Sequence, residues 1–213
     1  MLYYDVHTHL TSNHPSAVSI LNVIPGQAVP ESFFSAGIHP WYAKDAYIED
    51  LHKHITNPYC VAIGECGLDN LKSDIDFAEQ KKIFYSQLEL AKQFSKPVIL
   101  HVVRSNNELF HILKDFPELA YIWHGFTGNI ETVNQFSRFN MFFSFGNRAL
   151  KNENLWRTLL DDLIVCETDD SSSDITDIYS SLALIRNIDL ESLALIIKNN
   201  IVKIFGNELE RKN

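Results

Sequence analysis

The stretch LYYDVHTHL, residues 2–10, joins a short apolar run to a carboxylate and two histidines spaced two apart. In a strand, alternate side chains share a face. His7 and His9 therefore point the same way, Thr8 turns away between them, and Asp5 lies on the histidine face one pleat deeper. A strand that ends in two imidazoles on one face can offer both to a single cation. Asp5, set behind them, is expected to support them by hydrogen bonding rather than to bind.

Further along the chain the same pattern returns. Short apolar, β-branched or aromatic runs recur around Ala17 to Val23, Ser32 to Gly37, Cys60 to Gly64, Val98 to His101, Ala120 to His124, Met141 to Phe145 and Leu163 to Glu167. Most are continuous rather than alternating, as buried parallel strands are. Patterns of helical period lie between the later runs, over Phe77 to Phe94, Asn107 to Phe116, Glu131 to Phe139 and Asn154 to Leu160. Together with Leu2 to Asp5 this makes eight strands in β/α alternation and predicts an α/β fold, a TIM-like (β/α)8 barrel with its working residues at the C-terminal ends of the strands. The first two connections, Leu10 to Ser16 and Ile24 to Glu31, are short and rich in Pro, Asn, Ser and Gly. They leave no room for crossover helices, so one flank of the barrel is expected to be bare, with Ile175 to Asn187 and Leu190 to Phe205 available to cover part of it.

Reading each strand to its end collects a consistent set of side chains: His7 and His9, then His39, Glu65, His101, His124, and finally Glu167, Thr168 and Asp169. A lone His-x-His is a weak signal, and an isolated histidine in an apolar run is usually a satisfied core residue. Glu65, inside VAIGECG, is harder to set aside, because a buried carboxylate is costly unless it is paired or bound to a cation. Mixed imidazole and carboxylate donors suit a divalent ion in an open catalytic site. His52, His54 and His111 fall on helical patterns, where a solvated face is expected, and His14 sits in a short loop.

Composition bounds the function. With 213 residues, 46% hydrophobic and 21% charged, the chain is expected to form one globular domain, residues 1–213, without a membrane span. No basic segment precedes an apolar stretch at the start, so no export leader is expected. Cys60, Cys66 and Cys166 lack CxxC spacing and read as reduced, half-buried thiols of a cytoplasmic protein. A net charge of −9 repels polyanions, so any nucleic-acid contact must be local, with bound cations supplying the positive charge.

In order along the chain, DVHTHL, GIHPW, AIGECGLD, PVILHVVR, HGFTG and ETD, with NNIVKIFG near the end, resemble the motifs of the TatD-type metal-dependent deoxyribonucleases. The resemblance runs essentially end to end and implies a TIM-like barrel that carries two divalent ions, Zn, Mn or Mg, and hydrolyses phosphodiesters, typically of DNA. Carried over by position, it implies that His7, His9 and Asp169 bind one ion, that His101 and His124 bind the other, and that Glu65 bridges them. Asp169 and Glu65 would also be the catalytic pair, and His39 and Arg104 match positions that line the substrate site. This chain is shorter than is usual in the family, mainly between DVHTHL and GIHPW. HGFTG and ETDDSSSD also depart from the family pattern, and both changes fall on the rim rather than on the ligands.

The leading expectation is therefore a metal-dependent hydrolase acting on ester bonds, most readily a deoxyribonuclease using a water activated between two metals. The same donors could serve hydrolysis of an amide, another ester or a phosphomonoester, or a non-catalytic metal-binding interaction module. No basic stripe or aromatic platform for long single strands is evident, which favours short or terminal DNA as substrate. The bare flank points to a homodimer.

Overall fold

Eight parallel strands follow one another around a single sheet in chain order: β1 (Tyr3–Thr8), β2 (Ala17–Val23), β3 (Phe34–Ala36), β4 (Cys60–Asp69), β5 (Val98–Val103), β6 (Ala120–Trp123), β7 (Asn140–Phe145) and β8 (Ile164–Cys166). The computed structural model describes residues 1–12, 14–45, 48–71 and 75–210. Just beyond β8, the Asp169 amide donates to the carbonyl of His7 (3.0 Å), and the His9 amide donates to the carbonyl of Asp169 (2.9 Å). These bonds draw the last strand against the first and nearly close the barrel. The buried side chains of the strands form one continuous core with the inner faces of the helices.

The helices are α1 (Ile48–Ile55), α2 (Phe77–Phe94), α3 (Asn106–Leu113), α4 (Ile130–Phe136), α5 (Glu153–Thr158), α6 (Ile175–Arg186) and α7 (Leu190–Phe205). Their ends are written in the sequence. Asp76, Asp174 and Asp189 cap α2, α6 and α7 by accepting from backbone amides of the first turn, and Asn187 ends α6 in the left-handed conformation. Among the described residues no helix lies between β1 and β2 or between β2 and β3. Ala17, Val18 and Leu21 of β2 are consequently only half-buried, beside a groove of about 620 Å³ that also takes in Leu10, Phe33 and Leu209. The two C-terminal helices pack against β1. The Tyr179 hydroxyl of α6 accepts from the Tyr4 amide (2.9 Å) and donates to the Tyr4 carbonyl (3.2 Å).

Three local expectations need correction. The fourth strand does not stop at Gly64 but runs on to Asp69, so Glu65 sits in mid-strand. Gly64 and Gly67 look like strand breakers, yet both hold positive φ (141° and 143°) where β4 lies so close to β5 that a Cβ would strike the backbone oxygens of Ile99 and His101. Between Ile63 and Cys66 the register with β5 shifts, and Glu65 falls in that irregular segment. The three thiols are fully buried rather than half-buried. His54 is buried, because its helical position adjoins the Leu51 and Ile55 face that packs on the core.

Candidate metal centre

Glu65 is the hub. Its carboxylate, almost wholly buried, divides two groups of donors between its two oxygens. Oε2 lies 3.6 Å from His7 Nε2 and 3.7 Å from His9 Nε2, while Asp169 Oδ1 lies 3.7 Å and 3.6 Å from the same two nitrogens. Oε1 faces the other way, 2.7 Å from His101 Nδ1, 2.9 Å from His124 Nε2 and 3.4 Å from His39 Nε2. The barrel thus brings together residues of β1, β4 and β5 with others just past β3, β6 and β8.

The first group has the spacing of ligands around an ion rather than of hydrogen-bonded partners. Four donors held about 2.1 Å from one tetrahedral ion would stand about 3.4 Å apart, close to the 3.6 to 3.7 Å observed. Neither nitrogen of the fully buried His7 has a hydrogen-bond partner, a costly arrangement unless a cation takes the free lone pair. Burial pushes His7 down to about 3, reinforced by His124 close by, so its imidazole is neutral and able to ligate. Three groups, His7 with His9 and Asp169, His7 with Glu65 and His124, and His39 with Glu65 and His101, have donor atoms close enough together to hold a metal ion.

The local charges fit the same picture. Burial alone would raise Glu65, but His124, His101 and His39 outweigh it and hold the carboxyl below its usual range. His124 responds in the opposite sense: burial lowers it, but Glu65 and Glu167 raise it well above its ordinary value. The facing Glu65 carboxylate also raises His9, against the effect of burial. For Asp169, burial raises the carboxyl, partly offset by His124.

Two carboxylates to which the sequence assigned no role hold the imidazoles in place. Glu167 Oε1 accepts from the Gly125 amide (2.6 Å) and lies 3.7 Å from His124 Nδ1, leaving Nε2 for Glu65. Asp69 Oδ2 lies 3.4 Å from His101 Nε2 and accepts from Trp41 Nε1 (2.6 Å). Carboxylates behind ligating histidines fix the ring and make it a better donor. Both belong to quoted motifs, GLD and ETD, and Glu167 carries the signal that marked Glu65, a carboxylate at the end of a buried apolar run. Asp5, expected to support the imidazoles, bonds the closing seam instead: its two oxygens accept from the Thr168 amide (3.0 Å) and hydroxyl (2.7 Å), between Glu167 and Asp169.

Above the cluster opens a cleft of about 520 Å³. Trp41 and Tyr42 line one part of its wall and Arg148 with Asp170 another. The structure brings His39 to this cleft but not Arg104, which is exposed at the end of β5 in a left-handed turn (φ 48°) and does not line it. Among the described residues, the cation that lines this cleft is Arg148, 3.4 Å from both Asp169 Oδ2 and Asp170 Oδ2. It was missed because it follows β7, a strand whose end carries no imidazole or carboxylate to draw attention.

Comparison with known proteins gives the family and the fold. The sequence pattern of the family described as TatD related DNase matches residues 6–206. A TATDN1 homologue of Vairimorpha ceranae is 30% identical over 161 residues, which cover 74% of this chain and 59% of that protein. A metal-dependent hydrolase of Escherichia coli K12, YcfH, is 26% identical over 200 residues, covering 84% of this chain and 75% of that one. Among solved structures, the TatD homologue YJJV of Escherichia coli K12 superimposes with a TM-score of 0.80 at 22% identity, covering 95% of this chain and 97% of that one.

Proposed function

Because the chain belongs to the TatD related DNase family, we propose that it is a divalent-metal-dependent hydrolase that cleaves phosphodiester bonds of short or terminal nucleic-acid substrates. The observation that carries this reading is the buried Glu65 carboxylate, with two sets of imidazoles disposed about its two oxygens. In this reading His7, His9 and Asp169 would hold one ion and His101 and His124 a second, with Glu65 shared between the two sets. Divalent cations there would supply Lewis acidity and offset the negative charge that builds on phosphorus oxygens during displacement.

The chain's own residues supply the rest. Asp169 turns Oδ1 toward the imidazoles and Oδ2 toward Arg148, so Oδ2 is the oxygen that accepts the proton lost by the attacking water. His39 accepts the Trp41 amide on Nδ1 (3.2 Å). Its proton is therefore on Nε2, aimed at the centre, where it donates to a phosphoryl oxygen. Arg148 adds a cation at the mouth of a protein whose net charge is −9. Three buried free thiols suit a reducing, cytoplasmic setting, and among the described residues no helix is long and apolar enough to cross a membrane.

The test is digestion of oligonucleotides labelled at the 3′ or the 5′ end, after stripping with EDTA and reloading with Mn²⁺, Mg²⁺ or Zn²⁺. Chelation should abolish cleavage, reloading should restore it, and metal analysis should give two ions per chain. Intact oligonucleotides with a fully metal-loaded protein, or faster turnover of an amide or phosphomonoester, would overturn the reading.

A further inference from the structure

Glu65 stands in mid-strand, yet its backbone amide falls outside the regular ladder of the sheet. β3 pairs with β4 only as far as Ala36 opposite Ile63, and the register between β4 and β5 shifts between Ile63 and Cys66. A buried amide needs an acceptor from somewhere. This one donates to Asn22 Oδ1 (2.9 Å), a buried side chain of β2, the strand on the far side of β3. Because the partner is an N–H, the atom of the carboxamide that faces it is the oxygen. In β2 Ile20 and Asn22 are buried, while Leu21 between them is half-buried on the outer face beside the bare groove. Asn22, the single carboxamide in the run AVSILNV, also lines the cleft. The backbone at Glu65 is hemmed in on two further sides. A Cβ on Gly37 would lie 2.6 Å from Gly64 Cα and 2.8 Å from the Glu65 carbonyl oxygen, and one on Gly64 would strike the backbone of Ile99. Close packing past β3 and against β5 confines the segment sideways, and the bond from Asn22 fixes where its amide points.

We propose that Asn22 is a positioning residue for the metal centre: by holding the Glu65 amide, it sets where both oxygens of the shared carboxylate stand. The inference rests on the reading of Glu65 as a carboxylate shared between two divalent ions, and adds the group that aims it. Oε2 faces His7 and His9 while Oε1 faces His101 and His124. A displacement of the Glu65 backbone therefore moves one oxygen of each set at once, and a site of this kind tolerates only about 0.5 Å of misplacement. A ligand confined to one set, such as His9, bears on one ion. A residue that acts through Glu65 bears on both, and groups behind metal ligands commonly matter about ten-fold or more to affinity. In this way β2, whose outer face has no crossover helix among the described residues, still takes part in building the centre.

The experiment is a Mn²⁺ titration of the full chain, wild type against Asn22→Ser, followed by electron paramagnetic resonance of the free ion. Serine is too short to reach the Glu65 amide but leaves room for water to pair it. A role limited to satisfying the amide is then taken over by water, and Mn²⁺ affinity stays at the wild-type level. A positioning role is not taken over, and both dissociation constants should rise on the order of ten-fold. Wild-type affinity for both ions in folded Asn22→Ser, or weakening of one ion alone, would overturn the inference. A second measurement needs no variant: in the wild-type protein the Glu65 amide should exchange with solvent as slowly as that of Ile63, which donates to the Pro97 carbonyl (2.9 Å). Exchange at the rate of a free peptide would show that Asn22 does not hold it, whether or not Asn22→Ser folds. Wild-type protein that binds no Mn²⁺ would overturn the reading of the centre and the inference with it. Two bound ions without cleavage of any phosphodiester would overturn only the choice of substrate, and the titration would still decide the role of Asn22.

Discussion

On the side of β4, the long helix α2 crosses the outer face of the sheet; on the side of β1 to β3 the short α1 and the two C-terminal helices pack against it, and α2 clamps the segment past β3 through Gln87. The two sides hold their parts of the site by different means. Behind β4 the support is apolar burial plus a few side chain to backbone bonds from a helix, those of Gln80 and Gln87. Behind β1 it is a polar seam, in which Asp5 binds Thr168, Tyr179 binds Tyr4, and the backbones of His7, His9 and Asp169 pair. His7 and His9 project from the bare side and His101 and His124 from the covered side, so Glu65 is where two differently supported halves meet. A barrel can evidently do without crossover helices on one flank if its closing seam takes over their positioning role.

The largest effect should come from uncoupling the halves. Glu65→Gln removes the shared charge while keeping the shape, and should lower turnover by on the order of a thousand-fold or more, equivalent to several kcal/mol of transition-state stabilisation. Metal analysis of the purified variant should show less than one ion per chain. Wild-type turnover and metal content in Glu65→Gln together would show that each half works alone.

Next comes the comparison of the two kinds of support, measured by urea unfolding. Asp5→Ala leaves the buried amide of Thr168 without an acceptor, leaves its hydroxyl only Thr8, and opens a void, and should cost about 3 kcal/mol. Gln87→Leu leaves the Ile38 amide and carbonyl unpaired but fills the space with apolar atoms, and should cost about 2 kcal/mol. If Gln87→Leu is the more damaging, the covered side depends on its polar clamps as much as the seam does. The difference in mechanism would then be one of degree.

How much of this was legible in the sequence follows from the distance over which each signal acts. Strand parity alone set His7 and His9 on one face, and the cost of a buried charge alone marked Glu65, because both arguments need only a few consecutive residues. The short, Pro- and Ser-rich links around β2 predicted the bare flank for the same reason. Glu167 and Asp69 were quoted but not assigned, since their work depends on lying behind His124 and His101, which are brought to them by other strands. The family resemblance carried Arg104, just past β5, to the substrate site, whereas among the described residues Arg148, past β7, is the one that reaches Asp169. Which arginine faces inward is decided by where a loop turns, and periodicity does not record that. The GIHPW motif placed His39, but the bond from the Trp41 indole to Asp69, across 28 residues, is not written in it.

The last effect, confined to alkaline pH, bears on whether the bare flank lets water into the core. Cys60 opens β4 and pairs in register with Phe34 of β3, at the boundary between the two halves. Burial pushes its thiol up to about 11 from an ordinary 9.0, with Lys96 opposing. Between those values the folded protein binds the proton that the unfolded chain has released, so stability is full below pH 9 and declines as pH climbs toward 11. The slope is set by the extra proton held by the native state, and the loss should total roughly 2 to 3 kcal/mol. Urea unfolding at pH 8.5 and pH 11 should show a drop that is smaller by this amount in Cys60→Ala, whatever the baseline cost of the deleted sulfur. Iodoacetamide at pH 9 should leave Cys60 unmodified unless denaturant is present. A stability profile equally steep in both proteins, together with rapid alkylation of Cys60 in the native state, would mean that water reaches the boundary and that the polar seam seals less of the barrel than its hydrogen bonds imply.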